Sequence, residues 1–290
     1  MTPTHFPATD AAQFNLVVVH GMQEHSGRYH EFATFLSQHG GNVTTFDLPG
    51  HGTEGLTLGQ LGDFGSQGLQ AAFASIRQCF AACDNGLPNI LFGHSMGSAI
   101  ALRYAQLHPP LSQLVLSGIP YKHPILFQLA YAIAKLEKCI KGTKHTSILR
   151  KQIEAFNRHF SPNQTPFDWL SLNPNNVQRY IADPYCGYPI AIAYFEDMFH
   201  VMRRAFDPSE WRKMGTALPI LMLWGEDDPC TEFGQSSTRL AQRLRQHPFE
   251  QVHTISYPHL RHEILQEDSR SLVFADILQA IQNNLKQALK

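Results

Sequence analysis

The sequence of 290 residues is poor in charge and in long apolar runs, and each shortage excludes a class of protein. Only 16% of the residues are charged, and 23 Lys and Arg nearly balance 24 Asp and Glu, so no nucleic-acid partner is expected. A membrane-spanning helix is not expected either, because it needs a run of about 18 or more apolar residues, which is missing. Residues 1–10 lack the basic and apolar regions of a secretory signal.

Cysteine is also scarce: there are five, an odd number, scattered along the chain. A disulfide framework is therefore not predicted, and the reducing cytosol is the expected location. The 16 histidines form no HExxH motif or His-rich tract, so we expect neither a metal nor a cofactor. The cysteines are Cys79, Cys83, Cys139, Cys186 and Cys230.

Short apolar runs alternate with helical patterns in the first part of the chain. This βαβα alternation predicts a mostly parallel sheet with helices on both faces. Strands are predicted at 15–20, 42–48, 89–94 and 111–117, and helices at 26–38, 63–83 and 95–107.

The alternation stops at residue 119, and no strand-like run follows until residue 218. Helical patterns at 124–141 and 189–205 occupy the interval, and two further strands and helices close the chain. We therefore predict a core of residues 1–118 and 208–290, interrupted by a helical cap at 119–207. Such an insertion lies over the carboxyl ends of the strands, where open α/β sheets bind ligands. The closing strands are predicted at 218–224 and 251–257, and the helices at 234–246 and 269–289.

Residues 93–97 (GHSMG) match the Gly-x-Ser-x-Gly pattern between a predicted strand and a predicted helix. In a nucleophile elbow this turn is too tight for side chains at the flanking positions, and it exposes the serine hydroxyl above the sheet. The following helix N-terminus stabilises negative charge near the reacting oxygen. Ser95 is therefore predicted to be a nucleophile, rather than a capping serine in a glycine-rich turn.

A serine nucleophile needs a base, and the base needs an acid to orient it. Where this elbow occurs, the acid and then the base follow the serine along the chain. Acidic residues follow the strand at 218–224, and histidines follow the strand at 251–257. The candidates for the acid are Asp227 and Asp228, and those for the base are His259 and His262. Spacing alone does not decide between the members of either pair.

Four segments resemble the monoacylglycerol lipase and lysophospholipase branch of the α/β-hydrolases, also catalogued as serine aminopeptidase-like hydrolases. They are residues 20–29 (HGMQEHSGRY), 47–52 (DLPGHG), 93–98 (GHSMGS) and the acid and base segments. The resemblance covers about residues 14–285 and is weakest in the insertion. By the family pattern, the acid three residues after Gly225 is Asp228, and the base preceding Glu263 is His262.

The resemblance also implies an oxyanion hole formed by the backbone N–H groups of Met22 and Met96. Such donors stabilise the charge that develops on the substrate carbonyl oxygen. The family often has glycine where this chain has Gln23. The residues expected to shape the surrounding loops, without reacting, are His20, Glu24, His25, Arg28, Asp47 and His51.

Relatives usually begin with a β-hairpin, but only 14 residues precede the first predicted strand here. A shortened hairpin is therefore expected, which leaves the strand at 42–48 nearer the edge of the sheet. An exposed edge must be covered or paired. Residues 1–12 or a second subunit would do this; the oligomeric state is not predicted.

The cap carries two apolar stripes at helical spacing. Both stripes are compatible with ordinary helix packing, but part of them is predicted to line an acyl tunnel or to contact a membrane surface, with lysines toward the headgroups. The substrate-binding candidates are Phe195, Met198, Phe199 and Met202. The other stripe comprises Ile125, Leu126, Leu129, Ile133 and Leu136, with Lys135, Lys138, Lys141 and Lys144 near its end.

These features together predict a cofactor-independent serine ester hydrolase that cleaves monoacylglycerols or lysophospholipids. A peptidase or an acyltransferase on the same fold is the alternative enzyme, and a non-catalytic binding protein is the alternative class. The expected location is cytoplasmic, with transient peripheral membrane contact through the cap.

Overall fold

The computed structural model describes residues 2–83, 85–107, 109–247 and 249–288, and seven strands in them form one sheet. The spatial order is β1-β3-β2-β4-β5-β6-β7, and every neighbouring pair is parallel except β1 and β3. The fold is therefore the predicted α/β-hydrolase fold with a mostly parallel sheet. The strands are β1 (Thr4–Phe6), β2 (Phe14–Val19), β3 (Gly41–Thr45), β4 (Asn89–His94), β5 (Gln113–Ser117), β6 (Ile220–Gly225) and β7 (Val252–Tyr257).

Helices cover both faces of the sheet, which explains why the central strands are buried on both sides. Successive β2 residues alternate between two apolar clusters: Val17 belongs to one, and Leu16 and Val18 belong to the other. The helices are α1 (His30–Ser37), α2 (Gly52–Thr57), α3 (Gln70–Ala82), α4 (Met96–Ala105), α5 (Pro124–Lys141), α6 (Arg150–Glu154), α7 (Pro174–Ala182), α8 (Ile192–Ala205), α9 (Pro208–Trp211), α10 (Gln235–Gln246) and α11 (Arg270–Ala288).

The sequence prediction of one helix over 63–83 is wrong in its first turns, because α3 begins only at Gln70. Gly65 and Gly68 have φ values of +71° and +55°, which an α-helix cannot contain. The predicted helix at 26–38 likewise begins as a 3-10 turn, Ser26–Tyr29, before α1. Side-chain periodicity continues through such turns, so it does not mark the helix start.

The edge of the sheet beside β3 is paired by the first residues of the chain. Thr4 lies opposite Thr45 and Phe6 lies opposite Val43 in an antiparallel ladder. Within the described residues, the N-terminal hairpin is thus reduced to the single three-residue strand β1. The sequence left open whether residues 1–12 or a second subunit pairs with this edge, and within the chain Thr4–Phe6 pair with it.

Between β5 and β6 the chain forms α5 to α9 and short 3-10 turns, and its only strand-like contact among the described residues is a bridge from Thr146 to Ala191. The two long helices α5 and α8 pack against each other, and α8 also packs on α4 of the core. Across the described residues, no helix combines the length and the hydropathy needed to cross a bilayer.

Candidate active site

Ser95 lies at the tight turn between β4 and α4. Its φ of 51° and ψ of −121° are disfavoured for a residue with a side chain, so the surrounding structure must hold it there. A Cβ atom on Gly93 would lie 2.4 Å from the carbonyl oxygen of Gly97, and one on Gly97 would lie 2.2 Å from that of Val19. Both glycines of the motif are therefore required by close backbone packing.

Asp228 and His262 lie at the ends of β6 and β7 and contact each other. The Nδ1 of His262 donates to Oδ2 of Asp228 at 2.9 Å, and the side chains are 3% and 0% exposed. The other carboxylate oxygen of Asp228 accepts the backbone N–H of Cys230 at 2.8 Å. This arrangement fixes one imidazole tautomer and leaves Nε2 free to accept a proton.

The alternative acid and base lie elsewhere. His259 is exposed and has a φ of 63°, and Asp227 is half-buried and interacts electrostatically with Arg261. The structure therefore brings together Asp228 and His262, the pair selected by the family resemblance.

The surroundings of His262 raise the pKa of its imidazole. Burial lowers its pKa, but the adjacent Asp228 carboxylate, through its charge and its hydrogen bond, outweighs burial and raises the pKa above the ordinary value. The ring lies 5.0 Å from that of Trp169 and 4.8 Å from that of His94, centroid to centroid. Burial and the neighbouring His262 lower the pKa of His94 to about 3, so His94 stays neutral.

Ser95 faces the segment Gly21–Glu24 after β2, which contains the predicted oxyanion donor Met22 and is called the oxyanion loop below. A Cβ atom on Gly21 would lie 3.2 Å from that of Ser95. Among the described residues, no hydrogen bond joins Ser95 to His262. In free hydrolases this contact is often long and shortens only when substrate binds.

The core holds the inner side of the oxyanion loop. Glu24 accepts the backbone N–H of Gly21 and, at 2.7 Å, the hydroxyl of Tyr29. The Nε2 of His20 accepts the N–H of Leu48 at 2.9 Å, and burial lowers the pKa of His20, which suits a neutral acceptor. Both residues therefore have the loop-shaping contacts that the sequence predicted.

A buried ion network surrounds Arg28, which contacts Glu24 at 3.1 Å and both carboxylate oxygens of Glu263. Asn176 of α7 accepts from Arg28 at 3.1 Å and donates to Glu263 at 2.7 Å. Burial alone would raise the pKa values of Glu24 and Glu263, but the charge of Arg28 lowers both. The network links the oxyanion loop to the residue that follows His262.

Asp47 and His51 also act on loop structure. Asp47 accepts the backbone N–H of Ser26 at 2.8 Å. Burial lowers the pKa of His51 to about 3, and its neutral ring donates to the Pro49 carbonyl and accepts the Tyr194 hydroxyl at 3.2 Å. Neither Asp47 nor His51 lines the apolar cavity beside Ser95.

A predominantly apolar cavity of about 110 Å³ lies beside Ser95. Its wall includes Met22, Met96 and all four of the predicted cap residues, Phe195, Met198, Phe199 and Met202. Sequence reasoning missed several other wall residues, because Phe127, Leu149, Ile153, Phe156, Trp169 and Cys230 come from distant segments with no shared motif. A larger open depression of about 890 Å³ lies at the amino ends of β2 and β4, away from Ser95.

The predicted apolar stripe of α5 is not the face of the helix that is buried. Its buried face consists of Phe127, Ala130, Ala134 and Glu137, whereas the predicted stripe points to solvent. The exposed residues are Ile125, Leu126, Leu129, Ile133, Leu136 and Ile140. The stripe therefore neither lines the cavity nor packs against another described helix.

Within the described ranges of the chain, two groups of side chains have potential metal donors close together. In His25, Asp183 and Cys186, the imidazole accepts the N–H of Gly27 and donates to Asp183 at 2.9 Å, which leaves neither ring nitrogen free. The other group is Asp228, Cys230 and His262, in which the Asp228 carboxylate and the His262 imidazole already bind each other. These bonds favour a structural role for the first group and proton chemistry for the second.

Comparisons with known proteins show the family of this chain. The family model of the serine aminopeptidases, S33, matches residues 10–269. The monoacylglycerol lipase of Mycolicibacterium smegmatis is 28% identical over 275 residues, which are 93% of this chain and 88% of that protein. Phospholipase YtpA of Bacillus subtilis is 32% identical over 219 residues, 75% of this chain and 76% of that protein.

A solved structure resembles the whole chain. The carboxyl esterase of Bacillus coagulans, crystallised with glycerol, superimposes with a TM-score of 0.89 at 27% identity and covers 98% of this chain and 94% of its own. The family match spans most of the sequence, and this solved structure shares the fold over nearly its full length. The chain therefore belongs to the serine aminopeptidase S33 family of α/β-hydrolases, in the branch that includes monoacylglycerol lipases, and it is an ester hydrolase.

Proposed function

We propose that this protein hydrolyses esters of single-chain lipids, monoacylglycerols or lysophospholipids, with Ser95, His262 and Asp228 as its catalytic triad. The observation that carries the proposal is the buried His262–Asp228 hydrogen bond, at the same edge of the sheet as Ser95 and its apolar cavity. The unoccupied Nε2 of His262 provides the base, and Ser95 provides the nucleophile.

In the first half-reaction Ser95 Oγ attacks the ester carbonyl carbon while its proton passes to His262 Nε2. The N–H groups of Met22 and Met96 stabilise the oxyanion, and Asp228 stabilises the imidazolium. His262 then protonates the departing alcohol, which leaves an acyl group on Ser95. Water, deprotonated by His262, attacks that acyl-enzyme, and His262 returns the proton to Ser95 Oγ as the bond to the fatty acid breaks.

We infer that residues 119–207 form a cap whose inner face binds the acyl chain. Phe195, Met198, Phe199 and Met202 lie on one side of α8 and line the cavity beside Ser95. An apolar wall with few polar groups suits an alkyl chain. The names of the two relatives, a monoacylglycerol lipase and a phospholipase, agree with a lipid ester.

A peptidase fits the cavity less well. An aminopeptidase must bind the positively charged amine of its substrate, which calls for a carboxylate. Within the described part of the chain, no carboxylate lines the cavity, and its one charged lining residue is Lys122.

The proposal is tested by incubating the purified protein with monoacylglycerols, lysophospholipids and water-soluble short-chain esters of graded acyl length. We expect hydrolysis of long-chain monoacyl lipids and one phosphonyl adduct on Ser95 after treatment with an alkyl fluorophosphonate. The preferred headgroup then identifies the substrate. Activity on short esters alone would remove the lipid assignment, and a folded protein without an adduct would remove the serine mechanism.

We further propose that the exposed stripe of α5 contacts the surface of lipid aggregates. Six large apolar side chains on one face of a helix form an unusual surface for a water-soluble protein. The exposed Lys135, Lys141 and Lys144 lie at the end of this helix, where they can meet anionic headgroups.

Replacing both Leu129 and Leu136 by glutamate is expected to weaken binding to lipid vesicles about a hundredfold or more, because each leucine buried in the lipid contributes about 1.5–3 kcal/mol. The two side chains are 55% and 62% exposed, so the fold should be unaffected. Vesicle sedimentation measures binding, and hydrolysis of a soluble short-chain ester should stay unchanged.

The matched control is Leu272→Glu on α11, a leucine that is 56% exposed and far from the cap in sequence. Equal vesicle binding by the α5 variant and the Leu272 control would contradict the membrane proposal.

A further inference from the structure

Gln23, the residue after Met22, has an unusual backbone conformation. Gln23 has a φ of 56°, in the left-handed region that favours glycine. Glycine would occupy this position without strain, so the glutamine side chain must supply an interaction that glycine lacks. Gln23 is also half-buried, on the side of the oxyanion loop that contacts residues 180–188.

Three hydrogen bonds of Gln23 reach residues 180–188, and its backbone also bonds the Tyr194 hydroxyl of α8. Its side-chain amide donates to the carbonyl oxygen of Tyr188. The backbone carbonyl oxygen of Gln23 accepts the N–H of Gly187 at 3.0 Å and the hydroxyl of Tyr180 at 2.9 Å. The outer side of the oxyanion loop is therefore fastened to α7 and the segment that follows it.

The two proposed oxyanion donors are held in different ways. The N–H of Met96 belongs to the rigid first turn of α4, directly after Ser95. The N–H of Met22 belongs to a loop held on the core side by Glu24 and on the cap side by Gln23. The position of Met22 is the more adjustable of the two, because its outer anchor is not part of the sheet.

We propose that Gln23 is a positioning residue, which holds the Met22 N–H in the oxyanion hole by fastening its loop to residues 180–188. The proposal rests on the function proposed above for Ser95 and Met22. Gln23 does not touch the reacting atoms, so its loss acts through the geometry of Met22. A donor displaced by even part of an ångström loses its preference for the transition state.

The test uses Gln23→Ala and Gln23→Gly with p-nitrophenyl acetate, an ester too short to reach the acyl site in the cap. We expect kcat to fall about tenfold in both variants, with KM within about twofold of the wild type, because the contact acts on the transition state. The affinity for an alkyl trifluoromethyl ketone, whose adduct with Ser95 carries an oxyanion, should fall by the same factor.

Gln23→Gly separates the side-chain bond from backbone strain, because glycine relieves the strain and lacks the amide. A Gln23→Gly enzyme with the wild-type kcat would overturn the proposal, as would a rise in KM with kcat unchanged. Tyr180→Phe removes one bond to the Gln23 carbonyl, and we expect a fall in kcat of about threefold.

The matched controls are Gln60→Ala, an exposed glutamine, and Tyr185→Phe, a tyrosine in the same segment as Tyr188. Both should keep the wild-type kcat, and a loss in either control equal to that of the Gln23 variants would overturn the proposal. Failure of the underlying function is distinguishable, because a wild type without Ser95-dependent turnover shows it before any Gln23 variant is measured.

Discussion

Ser95→Ala is expected to lower kcat for ester hydrolysis by about 10⁴–10⁶-fold and to leave the thermal midpoint within about 2 °C of the wild type. The hydroxyl is the only nucleophile at the elbow and lies at the cavity wall. Its removal prevents formation of the acyl-enzyme, whereas the backbone turn and its packing stay intact. Initial rates with the preferred ester and differential scanning calorimetry measure the two quantities.

The matched control is Ser66→Ala, an exposed serine in the loop before α3. We expect its rate to equal that of the wild type. Asp228→Asn keeps the shape of the acid but leaves the tautomer of His262 unfixed, and a loss of about 10⁴-fold is expected. A Ser95→Ala enzyme that retains more than about a hundredth of the activity would rule out the triad.

The largest expected effect on stability is that of Arg28→Met. We expect the free energy of unfolding to fall by about 3–5 kcal/mol at neutral pH, because two buried carboxylates lose their counter-charge. The side chains of Arg28, Glu24 and Glu263 are 9%, 5% and 4% exposed, so water cannot replace the guanidinium. Urea titration followed by tryptophan fluorescence measures the change.

The pH dependence of this loss identifies its cause. In the wild type, Arg28 lowers the pKa values of Glu24 and Glu263, so both stabilise the fold above their unfolded value of about 4.3 and lose that contribution as the pH falls through the lowered values. In Arg28→Met the carboxyls can become neutral, so the difference between variant and wild type should shrink as the pH approaches 5.

Arg270→Met is the matched control for Arg28→Met. Its ion pair with Glu31 lies at the surface, where the glutamate side chain is 63% exposed. Such a pair contributes about 0–1 kcal/mol. If the two variants lose equal stability, the buried network is not the source of the effect.

Most strands of the sheet could be predicted from the types of residue in each segment. Apolar, β-branched runs predicted β2 and β4 to within one residue, since strands buried on both faces need such side chains. Glycine and serine spacing predicted the elbow, because only glycine tolerates the backbone approach at 93 and 97. Where glycines interrupted a periodic stretch, as before α3, the same periodicity predicted too long a helix.

Local sequence patterns specified six of the seven strands and the nucleophile elbow, and they predicted that an acid and then a histidine follow Ser95 along the chain. These depend on neighbours within a few positions, where side-chain period and backbone sterics act directly. Spacing left the acid and the histidine open, the family resemblance selected Asp228 and His262, and the fold brings this pair together. The exposure of the α5 stripe and the bond of Gln23 to residues 180–188 are visible only in the folded chain. The two hydrogen bonds join residues 34 and 165 positions apart, and no local pattern specifies such a pairing. Whether a helix face is exposed depends on what packs against it, which a local pattern does not specify either.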